Sequence, residues 1–275
     1  MPAAYSNSQK ASIAQFQALA QTDRATAARY LKSENWDEQR ALNAYFSGGN
    51  ANATPRSASG LKKIFEKYRE DAKNSPETVG VEGTMQYLQD IGSDIEGLET
   101  LAVLEIVQAP AMGEMTLAGF VNGWSALNCD TLDKQRAHIQ NLKQTLPSQP
   151  DTFSKIYTYT FQLAITGQQR AIPLEAAVAY WELLFTSPLS ALKWSTPSSP
   201  FITWWIEFLN TVWKRSINKD IWGQTLKFAK LTLQDERLGF WSEESSWPSV
   251  IDEFVEWVKK EKRGEVAEQE ASEEY

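Results

Sequence analysis

Covalent side-chain chemistry needs a nucleophile or a group that can pass a proton, and this 275-residue chain has one cysteine, Cys129, and one histidine, His138. The thiol in "LNCDTLDK" could serve as a transferring, thioester-forming nucleophile, since thiolates carry acyl groups. No His or basic residue adjoins it, and Asp130 beside it raises a thiol's pKa, so packing as a small core hydrophobe is the stronger reading. His138, in "KQRAHIQNL", has no assignable Ser or Asp partner and reads as an exposed or capping helix residue. No catalytic residue, metal site or cofactor is expected, and a single cysteine excludes an internal disulfide and a Cys-based zinc site.

Carboxylates are the other chemistry-bearing groups. In "SSWPSVIDEFVEWVK", Val250, Ile251, Phe254 and Val258 fall on one helical stripe. Asp252 and Glu256 lie four apart on another face, with Glu253 beside them. Pro248 suits the first position of such a helix, and acids in its early turns complement the helix dipole. Two readings stand together: contacts for a basic partner, or solvated charges that stabilise their own helix. The formal net charge of −8 disfavours nucleic acid, whose phosphates are bound through Lys and Arg clusters. Basic or neutral partners are expected.

The elements that must position these groups are helical. Residues 8–46 read as a three-helix module, with Ile13, Phe16 and Leu19, then Ala27, Ala28, Tyr30 and Leu31, then Ala41, Leu42, Tyr45 and Phe46 at helical spacing. Asp37 and Glu38 place negative charge at the start of the third helix. Residues 47–60, "SGGNANATPRSASG", have little to bury and read as a flexible linker. A larger, mainly all-α domain is expected over 61–259, with Leu61, Ile64, Phe65 and Tyr68 on one stripe and Ile95, Leu98, Leu101, Val103 and Leu104 on another. The short segments "TVGVEG" and "GEMTL" each precede a helical pattern and can pair as a two-stranded ribbon. A similar rhythm near "AIPLEA" and "SINKD" suggests EF-hand-like paired units, without the alternating oxygen ligands that calcium requires.

The density of Phe201, Trp204, Trp205, Phe208 and Trp213 in "FITWWIEFLNTVW" is explained as core packing. The stretch "TSPLSALKWSTPSSPF" reads as an irregular surface loop, and 260–275 as a charged, disordered tail. There is no leader-like start and no apolar run approaching a membrane span, so a soluble protein of the cell interior, cytoplasm and/or nucleus, is expected, with no membrane or nucleic-acid partner.

The blocks "LNCDTL", "AVAYWELLF", "KRSINKDIW" and "WPSVIDEFVEW", in this order and at these separations, resemble the defective-in-cullin-neddylation family. The resemblance covers residues 61–259, the family's potentiating-neddylation domain, while 8–46 resembles the ubiquitin-associated domain of some members. It implies a non-enzymatic, scaffold-type E3 co-ligase that binds the C-terminal region of a cullin and the N-terminally acetylated neddylation E2 together. On the matching positions, the implied cullin contacts are Asp220, Ser246 and Asp252, with Ser246 standing where relatives commonly carry Ala. An implied apolar pocket for the E2's acetylated Met falls on Leu101, Val103, Leu104, Met115, Leu163, Tyr180 and Leu183. Thr84, Glu96, Thr100, Met112 and Gly113 depart from the family's lining there. Ubiquitin binding is implied for residues 8–46, although "QTD" at Gln21 to Asp23 replaces the usual loop, and a structural or autoregulatory role stands beside it. The alternative to the co-ligase is a ubiquitin-binding adaptor that tethers a basic partner without promoting modification.

Overall fold

The computed structural model describes residues 5–20, 24–47, 55–165 and 167–264. The loop at Gln21 to Asp23, residues 48–54 of the expected linker and residues 265–275 of the expected tail lie outside the described residues.

Three short helices, α1 (Asn7–Ala20), α2 (Arg24–Ser33) and α3 (Glu38–Ser47), pack around Ile13, Phe16, Ala27, Ala28, Leu31 and Ala41. Asp37 caps α3, its carboxylate accepting the Arg40 N–H at 3.0 Å. Leu19 is 56% exposed, against its expected place in the stripe; Ala20 takes the buried position instead. The side chains of Tyr45 and Phe46 lie outside the described residues.

The larger domain begins earlier than expected. α4 runs Pro55–Tyr68, so residues 55–60 are helix and not linker. Proline at the first position costs no hydrogen bond there, and the stripe of Leu61, Ile64, Phe65 and Tyr68 gives the helix a reason to extend. Two helix–strand–helix pairs follow, as the sequence predicts. In the first, β1 (Thr78–Val79) joins α4 to α5 (Val81–Asp90), and β2 (Met115–Thr116) joins α6 (Leu98–Ile106) to α7 (Leu117–Ala126); the strands pair antiparallel, Thr78 opposite Thr116. α8 (Leu132–Thr145) leads to the second pair. There β3 (Ala171–Ile172) lies between α9 (Pro150–Ala164) and α10 (Leu174–Thr186), and β4 (Ile217–Asn218) follows α11 (Phe201–Phe208) and opens α12 (Lys219–Gln234). Ala171 pairs with Asn218 and Ile172 with Ile217. α13 (Ser249–Trp257) closes the domain against α11 and α12.

α6 is not a one-sided helix. It starts at Leu98, leaving Ile95 in the preceding turn, and every residue from Leu98 to Leu104 is buried. The buried Glu99 is matched by Lys143 at 2.8 Å. The proline-rich stretch after α10 is irregular, but it is not all surface: Trp194 is fully buried and its indole N–H donates to Thr232 Oγ1 at 2.7 Å. The expected disordered tail is also shorter. Residues 258–262 continue α13 as a π-helical turn, Lys262 pairs with Glu207 at 2.8 Å, and Arg263 donates to the Glu236 carbonyl at 2.5 Å.

Candidate functional site

α12 is held from both sides at its base. Asn218 caps it, its side-chain oxygen accepting the Ile221 N–H at 2.9 Å. Two residues past Asp220, the Trp222 ring stacks on Trp181 with centroids 5.0 Å apart, and its N–H donates to the Tyr157 carbonyl at 2.9 Å. The Tyr157 hydroxyl closes this buried network by donating to the Trp222 carbonyl and accepting from the Trp181 indole. Asp220 is therefore exposed but carried on a fixed first turn, where the unpaired amides of the helix favour its charge.

Helical spacing puts Asp220, Gln224, Lys227 and Leu231 on one outward stripe, Asp220 standing about 10 Å along the axis from Lys227. The Lys227 ammonium lies 4.8 Å over the ring of Trp247. Lys227, Leu231, Phe240, Ser245, Ser246 and Trp247 line an open cleft of about 300 Å³. Ser246 is exposed at this cleft. Trp247 meets Phe228 and Phe240 edge-on, which fixes the cleft's aromatic wall to the core.

Asp252 lies in the first turn of α13, with Val250, Ile251, Phe254 and Val255 buried beneath it. It is half-buried, and its Oδ1 accepts the indole N–H of Trp241 at 2.8 Å. The Lys259 ammonium sits 4.5 Å over the same indole ring. Phe240 in the cleft and Trp241 on Asp252 are consecutive residues, so a single turn between α12 and α13 joins the two features. Glu256 is exposed and Glu253 half-buried. The structure thus brings Ser246 against α12 and places Asp220 on the stripe that borders its cleft. Lys227, Trp241 and Lys259 escape a sequence reading, because their contacts cross between elements and follow no periodicity.

The seven residues matched to the implied apolar pocket divide in two. Leu101, Val103, Leu104, Met115 and Leu163 are core residues, each no more than 2% exposed. Tyr180 and Leu183, on α10, are half-buried, and burial raises the Tyr180 phenol's pKa. Val81 and Met85 lie one turn apart on α5 and are exposed, as is Met112. Gly113, with φ +74°, brings the Met112 turn close to the Val81 side chain. Thr84, on the buried side of the same helix, is 1% exposed with its hydroxyl unpaired. The i, i+4 spacing of Val81 and Met85 is the sequence signal that could have found this patch.

Cys129 is buried, donates its S–H to the Leu127 carbonyl at 3.4 Å, and has its pKa raised by burial. His138 is half-buried, not exposed: it meets Trp124 edge-on at 5.9 Å, and burial lowers its pKa. Among the described residues, no group of three or more His, Cys, Asp or Glu could hold a metal ion, and no helix is long and apolar enough to cross a membrane. In the N-terminal module, Arg24, Arg29, Lys32 and Tyr5 border a cleft along α2.

Comparison with known proteins bears on both domains. Residues 10–52 match a model of the UBA-like domain, and residues 134–257, which include α12 and α13, match a cullin-binding model. "Defective in cullin neddylation protein 1" of Pyricularia oryzae is 36% identical, covering 91% of this chain and 93% of the relative. The protein of the same name from Yarrowia lipolytica is 32% identical over 86% and 90%. "DCN1-like protein 3" of Rattus norvegicus is 29% identical over 78% and 67%. With identity above 30% over nearly the full length of such relatives, the chain belongs to the defective in cullin neddylation family.

Proposed function

We propose that the chain acts in cullin neddylation as a scaffold, holding a cullin and the charged E2 so that the modifier passes to a cullin lysine. The observation that carries the reading is the pair of carboxylates on α12 and α13. Asp220 is exposed on a capped helix start, Asp252 is oriented by an indole, and both fall with Ser246 inside the stretch that matches the cullin-binding model. Carboxylates so placed give charge-assisted hydrogen bonds to Lys or Arg of a cullin's C-terminal region and steer its approach.

The transfer itself needs no group from this chain. The cullin lysine amine attacks the E2 thioester carbonyl, an isopeptide bond forms, and the E2 thiol leaves. The scaffold contributes proximity and orientation. The raised pKa of Cys129 and its hydrogen bond to Leu127 support this division of labour.

For the E2, an apolar site suits an acetylated N-terminal Met, because a free ammonium pays heavily for desolvation whereas an amide needs a hydrogen bond. Leu101, Val103, Leu104, Met115 and Leu163 supply the apolar interior behind such a site, and the half-buried Tyr180 and Leu183 supply its accessible edge. The setting is the cell interior, cytoplasm and/or nucleus. Residues 8–46 add weak ubiquitin binding.

A reconstituted transfer from the E2 thioester to a cullin tests the reading. Acceleration by the wild-type chain, kept by Cys129→Ser and lost by Asp220→Arg, supports it. Cullin binding without acceleration leaves a tethering adaptor in its place.

A further inference from the structure

We infer that Trp241 is a positioning residue for the partner contact made by Asp252, an inference that rests on the cullin-binding reading above. Asp252 sits on a helix turn with two carboxylate oxygens to present. Its Oδ1 accepts the Trp241 indole N–H at 2.8 Å, across eleven residues of chain, and no other hydrogen bond to this carboxylate is made among the described residues. A single fixed donor stops rotation of a terminal carboxyl torsion that is otherwise broad, and leaves Oδ2 as the oxygen for an incoming cation.

Trp241 is held through its neighbour, since Phe240 packs on Phe228 and Trp247 in the wall of the Ser246 cleft. The Lys259 ammonium lies 4.5 Å over the indole's face, away from the N–H that meets Asp252. The indole therefore ties the orientation of Asp252 to the cleft. Lys259 also balances part of the local negative charge without forming an ion pair with Asp252, so the carboxylate stays available. A phenylalanine at 241 would keep the ring, its packing and its face toward Lys259, and would remove only the N–H.

The test is binding kinetics of the full chain on a purified cullin C-terminal region. Steering depends on charge, which Trp241→Phe leaves intact, so association should stay within about twofold while dissociation rises about five- to tenfold. Lys259→Met, which keeps the N–H, should leave dissociation within about twofold. In a double-mutant cycle, Asp252→Asn should cost far less in the Trp241→Phe background than in the wild type. Thermal unfolding of each variant separates loosening of the fold from loss of orientation. Wild-type dissociation by Trp241→Phe where Asp252→Asn fails overturns the inference alone, as do additive effects, or Lys259→Met dissociating as fast as Trp241→Phe. Normal binding by Asp252→Asn overturns the cullin-contact reading, and the inference with it.

Discussion

Charge reversal at the two carboxylates should abolish binding alike but should not cost the fold alike. Asp220→Arg changes an exposed side chain in a first helical turn whose Asn218 cap remains. Losing a favourable dipole contact and gaining an unfavourable one costs about 1 kcal/mol. Asp252→Lys removes the acceptor of the Trp241 N–H, a charge-assisted bond worth about 1.5–3 kcal/mol, and adds a second cation to a site already faced by Lys259. The total is about 3 kcal/mol. For a domain of this size each kcal/mol moves the midpoint by about 2–4 °C, so Asp220→Arg should melt about 3 °C below wild type and Asp252→Lys about 9 °C below. Circular dichroism on heating, with urea unfolding for the free energies, provides the measurement. Equal midpoints for the two variants would refute the claim that the indole bond contributes to stability.

Three further outcomes follow from other contacts. Glu70 accepts the N–H groups of Gly80 and Gly83 at 2.9 and 2.7 Å, capping α5 from outside the helix, so Glu70→Ala should cost about 1–2 kcal/mol in urea unfolding. Hydrogen bonds from Lys67 and Tyr68 hold the Asp90 carboxyl down to about 2. Its folded pKa is depressed, so its contribution is present above about pH 4 and is lost as pH falls toward 2; after solvent screening it is about 1 kcal/mol, and Asp90→Asn should flatten the stability–pH curve over that window. Trp194→Phe leaves a small void and removes the bond to Thr232, so it should cost about 2–3 kcal/mol and lower the denaturant midpoint.

Much of the architecture was legible because it is local. The ribbons were readable from short β-prone segments set before helices, and the stripe of Val250, Ile251, Phe254 and Val258, all fully buried, came from spacing alone. The start of α4 was not readable, since Pro55–Gly60 has linker composition and is helical only because Leu61 and Phe65 anchor the turns after it. Trp194 was hidden by polar and proline-rich neighbours whose company says surface, while its buried place is decided by Thr232 and the aromatic cluster. At the site, the charges of Asp220 and Asp252 were visible and their environments were not. A cation over an indole, or an indole on a carboxylate, joins residues from separate elements and leaves no period in the sequence.

The second ribbon acts as a phase lock. Asn218 pairs with Ala171 and also caps α12, so the register of two strands sets where the helix begins and in which direction Asp220 leaves it. A one-residue slip would turn that carboxylate by about 100° around the axis. Changes at 171, 172, 217 or 218 would therefore re-aim the acidic face, because they act on the register that sets where α12 begins.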